Sequence, residues 1–257
     1  RKLVIAMPLT CLFIALAAKG LFQELSWLQA FLVGALLSPT DPILTSSIIG
    51  NPRVPERIRG SLNLESGLND GLALPAILAL LAAIGVANHP DESFVLWQFV
   101  QQTEDIAEIV ELGVFVVFGS LLTVSMLFSE GVLLTIAFVL VCFILARPIA
   151  ILISLVGVKQ VDFSTKLFIG WFGPKGIATM AFGLLVLSSG IPDAERIFAI
   201  AAVVVFFSII LHGTTDTAGG KWIARKSETD GDEDKDKSHV IATPDASLDY
   251  SKEWVPD

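Results

Sequence analysis

Apolar residues fall into seven long runs separated by short polar stretches, at roughly 3–22, 27–50, 61–86, 106–127, 131–157, 163–190 and 195–213. About 20 helical residues cross a 30 Å hydrocarbon core, so each run reads as long enough to span a bilayer. The pattern predicts an all-α polytopic membrane protein. Two of the runs are interrupted. Pro39 and Pro42 bracket Thr40 and Asp41 in the second, and Gly170, Gly173, Pro174 and Gly176 surround Lys175 in the sixth. Proline lacks an N–H and clashes with the carbonyl four residues earlier. Backbone freed in this way is tolerated inside a membrane only beside protein or a polar cavity. Both runs are therefore predicted as discontinuous helices, with a charged residue at each break.

Composition sharpens this picture. The chain of 257 residues is 53% apolar with mean hydropathy +0.71, above the range of soluble domains. The net charge of −9 describes one end rather than a surface. Residues 225–257 hold ten acids against five bases and few apolar residues, so an acidic, disordered, cytoplasmic tail is expected over 221–257. Cys11 and Cys142 lie inside apolar runs and suggest no disulfide framework. His89, His212 and His239 carry no pattern of their own, and His212 reads as a satisfied polar residue at a membrane edge. The chain opens on Arg1 rather than Met and is expected to be part of a longer one.

Basic loops mark the cytoplasmic side. Arg53, Arg57 and Arg59 place loop 51–60 inside, and Lys159, Lys166 and the bases of 221–226 place the later loops inside as well. Counting crossings from each end leaves linker 87–105 starting outside and ending inside without a span of its own. An odd number of helices is expected to be missing there.

The polar residues within the runs carry the chemistry. On a 3.6-residue helix Glu65, Ser66, Asn69 and Asp70 stand at about 0°, 100°, 40° and 140° and so share one face. A carboxylate at mid-membrane costs several kcal/mol and is rarely kept without a role. Hard oxygen ligands with one exchangeable carboxylate suit a cation and a proton. Interrupted spans of opposite direction are the mark of an inverted-repeat transporter with its site at the crossing. Asp41 is expected to face helix N-termini and Lys175 the C-termini, each opposing the local dipole. Arg147 needs a buried partner, and Glu65 is the best candidate.

The strings SPTDP (38–42), LNLESGLNDGLALP (62–75), LARPIA (145–150), GWFGPKGIA (170–178) and ILHGTTD (210–216) resemble the cation/proton antiporters of the NhaP type, kin to the eukaryotic sodium/proton exchangers. The resemblance covers roughly residues 1–220. It implies an inverted-repeat core with two crossed discontinuous helices, built from spans 3–22, 27–50 and 61–86 and spans 131–157, 163–190 and 195–213. It also implies that Asp70 exchanges a monovalent cation, sodium first with potassium or lithium as alternatives, for the proton, with Asn69, Asp41, Ser66 and Thr40 completing the site. Asp70, Ser66 and Thr40 would then ligate the transported ion, and Glu65 would pair with Arg147. The Asn-Asp form resembles the electroneutral class. Family members are plasma-membrane homodimers that need no cofactor and bind no nucleic acid; they carry about three more helices after the Asn-Asp helix and others before residue 1.

Two other readings compete. An inactive fragment or accessory membrane subunit follows if the absent helices are essential. An intramembrane aspartyl protease would use Asp41 and Asp70 as its dyad, but the residues around them do not resemble the Tyr-Asp and Gly-x-Gly-Asp patterns of such enzymes.

Overall fold

Helix starts and stops follow local chemistry along the chain. The computed structural model describes residues 5–41, 45–85, 104–158 and 161–241, and the regular elements within them are all helical. In α1 (Met7–Leu21), Pro8 sits in the first turn, where its missing N–H has no helical partner to lose. Ser26 and Gln29 form a reciprocal capping box that opens α2 (Trp27–Leu36). The chain then leaves the helix and resumes as α3 (Ser46–Ile49), followed by α4 (Glu56–Ile84). Gly85, at φ 109°, supplies the left-handed cap that ends α4. Next come α5 (Glu104–Leu121), α6 (Val124–Leu127) and α7 (Val132–Leu140). A π-helical turn, Val141–Ala146, joins α7 to α8 (Arg147–Ser154). Asp162 caps α9 (Phe163–Trp171), and residues 172–176 are extended before α10 (Ile177–Ser188) and the long α11 (Ala194–Ile241).

Two trios share this order: α1, the broken α2–α3 and α4, then α7–α8, the broken α9–α10 and α11. They form the inverted-repeat core, with one discontinuous helix from each trio crossing the other. One end of the molecule gathers the turns before α2, α7 and α11. There Arg196 binds Glu130 at 2.6 Å and Glu24 at 2.9 Å, while Gln29 donates to Asp193 Oδ2 at 2.9 Å. The other end is basic: Lys166 donates to Leu155 O at 3.1 Å, Arg59 to Val54 O at 3.0 Å, and Lys226 pairs with Asp162.

The helix formed by α7, the π turn and α8 shows what its surroundings must be. Leu133, Ile136, Leu140, Ile144, Ile149 and Ile153 lie along one exposed face, while Phe138, Cys142, Ala146 and Ala150 are buried on the other. An exposed face this apolar belongs against lipid. The π turn has a local cause, because Pro148 cannot donate to the helix and its ring crowds the carbonyl four residues back.

Three expectations need correction or limits. Among the described residues, only Val132–Ser154 and Ala194–Ser227 are long and apolar enough to cross a membrane unbroken. The breaks split two of the expected spans, and α4 is apolar only over Gly71–Ile84 because its first half carries the polar residues. The disordered tail was expected from 221, but the α11 backbone stays helical to Ile241. No proline falls between 194 and 241 to stop it. Pro42, most of linker 87–105 with His89, Lys159 and residues 242–257 lie outside the described residues.

Asp162 makes the basic end pH-dependent in a definite direction. Partial burial opposes its ionisation, but Lys226 and the hydroxyls and N–H groups of Ser164 and Thr165 outweigh it and hold the carboxyl well below the usual carboxylate range. A lowered carboxylate contributes stability above its unfolded value of about 3.9 and loses it as pH falls through the folded value. The melting-temperature gap between wild type and Asp162→Asn should therefore be flat from about pH 5 to about pH 8 and narrow only in stronger acid. Thermal unfolding in detergent across that range checks it, and a gap that changes near neutrality contradicts it.

Candidate functional site

The two breaks meet in the core. Asp41 N–H donates to Pro174 O at 2.9 Å, joining the extended segments directly. Asp41 Oδ2 accepts from Ile177 N–H at 2.8 Å, so its carboxylate closes the N-terminus of α10. Lys175, 1% exposed, donates from Nζ to Pro39 O at 3.0 Å and to Ser38 O at 3.4 Å. Thr179 Oγ1 adds a bond to Leu36 O at 3.0 Å. The carboxylate therefore answers a helix start and the ammonium a helix end, as the dipole argument expects. Gly176 has no side chain because a Cβ there would sit 1.8 Å from Asp41 Oδ2.

The other two helix ends at the crossing are also answered, by residues that sequence reasoning left without a role. His212 is fully buried against the crossing rather than at a membrane edge. Its Nε2 lies 3.0 Å from Trp171 O, the end of α9, and its Nδ1 lies 3.2 Å from Ser208 Oγ. Lys175 N–H donates to the same Ser208 Oγ at 2.7 Å. Nδ1 also lies 3.0 Å from Ser208 O, so the ring is held at both nitrogens. Asp216, one turn further along α11, accepts from Ser47 N–H of α3 at 3.2 Å. Only the spacing in ILHGTTD hinted at these two, since residues 212 and 216 are i and i+4 on a helix.

Beside the crossing, Arg147 Nη2 donates to Glu65 Oε1 at 2.8 Å, with both residues 4% exposed. This is the pairing that the buried arginine called for. Gly173 packs onto the guanidinium, where a Cβ would fall 1.6 Å from Arg147 Nε. Thr40 is buried at the break. Ser66, Asn69 and Asp70 lie on the α4 backbone within a turn and a half of Glu65; their side chains are outside what is described. Among the described residues, no group of three His, Cys, Asp or Glu converges on a point. A cavity of about 450 Å³ opens elsewhere, between Leu121, Leu187 and Arg196 at the acidic end, and none of the crossing residues lines it.

The transmembrane sodium/hydrogen exchanger family model matches residues 2–103 and 97–218, nearly the whole described chain. The chain belongs to the sodium/hydrogen exchanger family. Within that family it is of the NhaP type. It is 24% identical over 276 aligned positions to the K(+)/H(+) antiporter NhaP2 of Shewanella sp. (strain MR-4), covering 77% of this chain and 48% of that protein. It thus spans about half the length of the curated relatives it matches. It is 40% identical over 62 residues to a Na(+)/H(+) antiporter of Schizosaccharomyces pombe, covering 23% of this chain and 13% of that protein. The fold is similar to that of the sodium proton antiporter MjNhaP1 from Methanocaldococcus jannaschii, with TM-score 0.68, 15% identity, and coverage of 87% of this chain and 78% of that one.

For this exchanger-family core, the crossing is held by few but buried polar contacts, and each should register in stability. Lys175→Met keeps the volume but removes the donor to Ser38 and Pro39. Leaving buried acceptors unmet costs about 1–3 kcal/mol, so a clear drop in the detergent melting temperature is expected. An unchanged melt would mean that the ammonium does not hold the break together.

Proposed function

We propose that this chain forms the transport core of a secondary antiporter that exchanges a monovalent cation, sodium or potassium, for a proton, one for one. Asp70 is the exchanging carboxylate. Asn69, Ser66, Thr40 and Asp41 complete its surroundings, and the Glu65–Arg147 pair fixes the α4 scaffold. Proton and cation compete for the single carboxylate, and a core that changes sides only when occupied trades one for the other. Asn69 offers hydrogen bonds or an oxygen ligand without a second titrating charge. The basic end faces the cytoplasm, as the positive-inside rule requires.

One observation carries this reading: two broken helices cross beside α4 at Glu65, and the charges at the break are matched by the protein's own groups. Asp41 and Lys175 are spent on the crossing itself, which supports giving the exchanging role to a carboxylate on α4. The cation-driven collapse of a pH gradient in everted vesicles tests the reading. Sodium or potassium chloride should dissipate the gradient, at a rate unchanged when the membrane voltage is short-circuited. No dissipation by a chain that reaches the membrane would leave the second reading, in which the core needs the additional length its relatives carry. Family membership gives the aspartyl-protease alternative no support.

A further inference from the structure

Asp216 is buried more completely than its one contact explains. The residue is 8% exposed; Oδ2 accepts the Ser47 N–H at 3.2 Å, while Oδ1 is buried without a hydrogen-bond partner among the described residues. A buried carboxylate oxygen with nothing to accept from is costly and rare. The single bond it makes needs no charge, since an asparagine would accept the same N–H. The excess acidity points to a ligand that supplies positive charge.

Its place in the fold says which one. Asp216 lies one helical turn beyond His212, which binds the crossing, in the direction of the basic end. Gly220, the next turn along, lies against Ile48, with a built Cβ 3.5 Å from Ile48 Cγ1. Beyond it Ile223 packs with Val54 and Ile58 at the foot of α4. Ser47 itself is exposed, so the carboxylate sits just inside a surface that faces the basic side. We propose that Asp216 is an ion-relay site, taking a monovalent cation or a proton from the basic face on its way to the crossing. This rests on the antiport reading above for the identity of the ion, and on the bare oxygen for the site.

Two measurements on the full chain test it. The first needs no turnover: infrared difference spectra of the purified protein with sodium or potassium chloride, against choline chloride. A carboxyl-region band present in wild type and missing from Asp216→Asn is expected; identical spectra overturn the proposal, whether or not the chain transports. The second compares half-saturating cation concentrations from the two faces in everted and right-side-out vesicles. Asp216→Asn should raise the value about tenfold from the basic face only, the worth of one contact to a charged group. An unchanged value from both faces means a capping acceptor and nothing more. An equal rise from both faces means general damage, and it overturns the relay as well. Wild type without exchange, but with the infrared band, defeats the antiport reading and leaves the site standing.

Discussion

Asp70→Asn is expected to abolish cation-driven proton movement while leaving the protein folded. The expectation comes from how the other carboxylates are used. Asp41 Oδ2 is committed to the Ile177 N–H, and Glu65 Oε1 to Arg147. Asp70 lies five residues from Glu65 on the same unbroken helix. An amide of nearly the same shape accepts hydrogen bonds but neither holds an exchangeable proton nor carries the charge that draws a cation. Losing a buried charged contact is worth several kcal/mol, so the rate should fall by more than about a hundredfold. The assay is the everted-vesicle pH gradient, with melting temperature as the folding control. Exchange retained in a well-folded Asp70→Asn protein would move the role to another residue.

Gly173→Ala is expected to be strongly destabilising. Its new Cβ would land 1.6 Å from Arg147 Nε and 1.9 Å from Cζ. The guanidinium must swing away, and Glu65 then loses the 2.8 Å bond that answers Arg147. Breaking a buried ion pair costs about 3–5 kcal/mol, mostly through the charge left behind. Gly213→Ala provides the contrast, because nothing lies within 4 Å of the added carbon. In a helix interior that change is neutral or stabilising by up to about 1 kcal/mol. The two variants should separate widely in thermal unfolding. Equal melting temperatures would show that the Arg147 side chain yields easily and that its packing on Gly173 is unimportant.

The parts of this molecule governed by local rules were legible in the sequence. Proline and glycine mark both breaks because their effect on the backbone is immediate. Arg147 announced a partner because a charge in an apolar run cannot stay alone, and a polar face on α4 was the nearest supply. The roles of His212 and Asp216 were not legible. Each depends on which distant chain end lies opposite, Trp171 O for one and Ser47 N–H for the other. No pattern within α11 encodes that. The π turn before Arg147 also escaped, since Pro148 signals a disturbance without fixing whether the helix kinks or gains a residue. The helical stretch beyond 221 was missed for the opposite reason: composition argued for disorder, whereas the α11 backbone simply continues without a residue to stop it.

Four helix ends at the crossing are tied by four side chains, Asp41, Lys175, His212 and Asp216, and each tie runs between segments far apart in the chain. A structure laced in this way resists shearing through its own middle, because sliding one broken helix past the other would strand several buried donors and acceptors at once. Any motion that opens the site first to one side and then to the other must therefore carry both broken helices as one block.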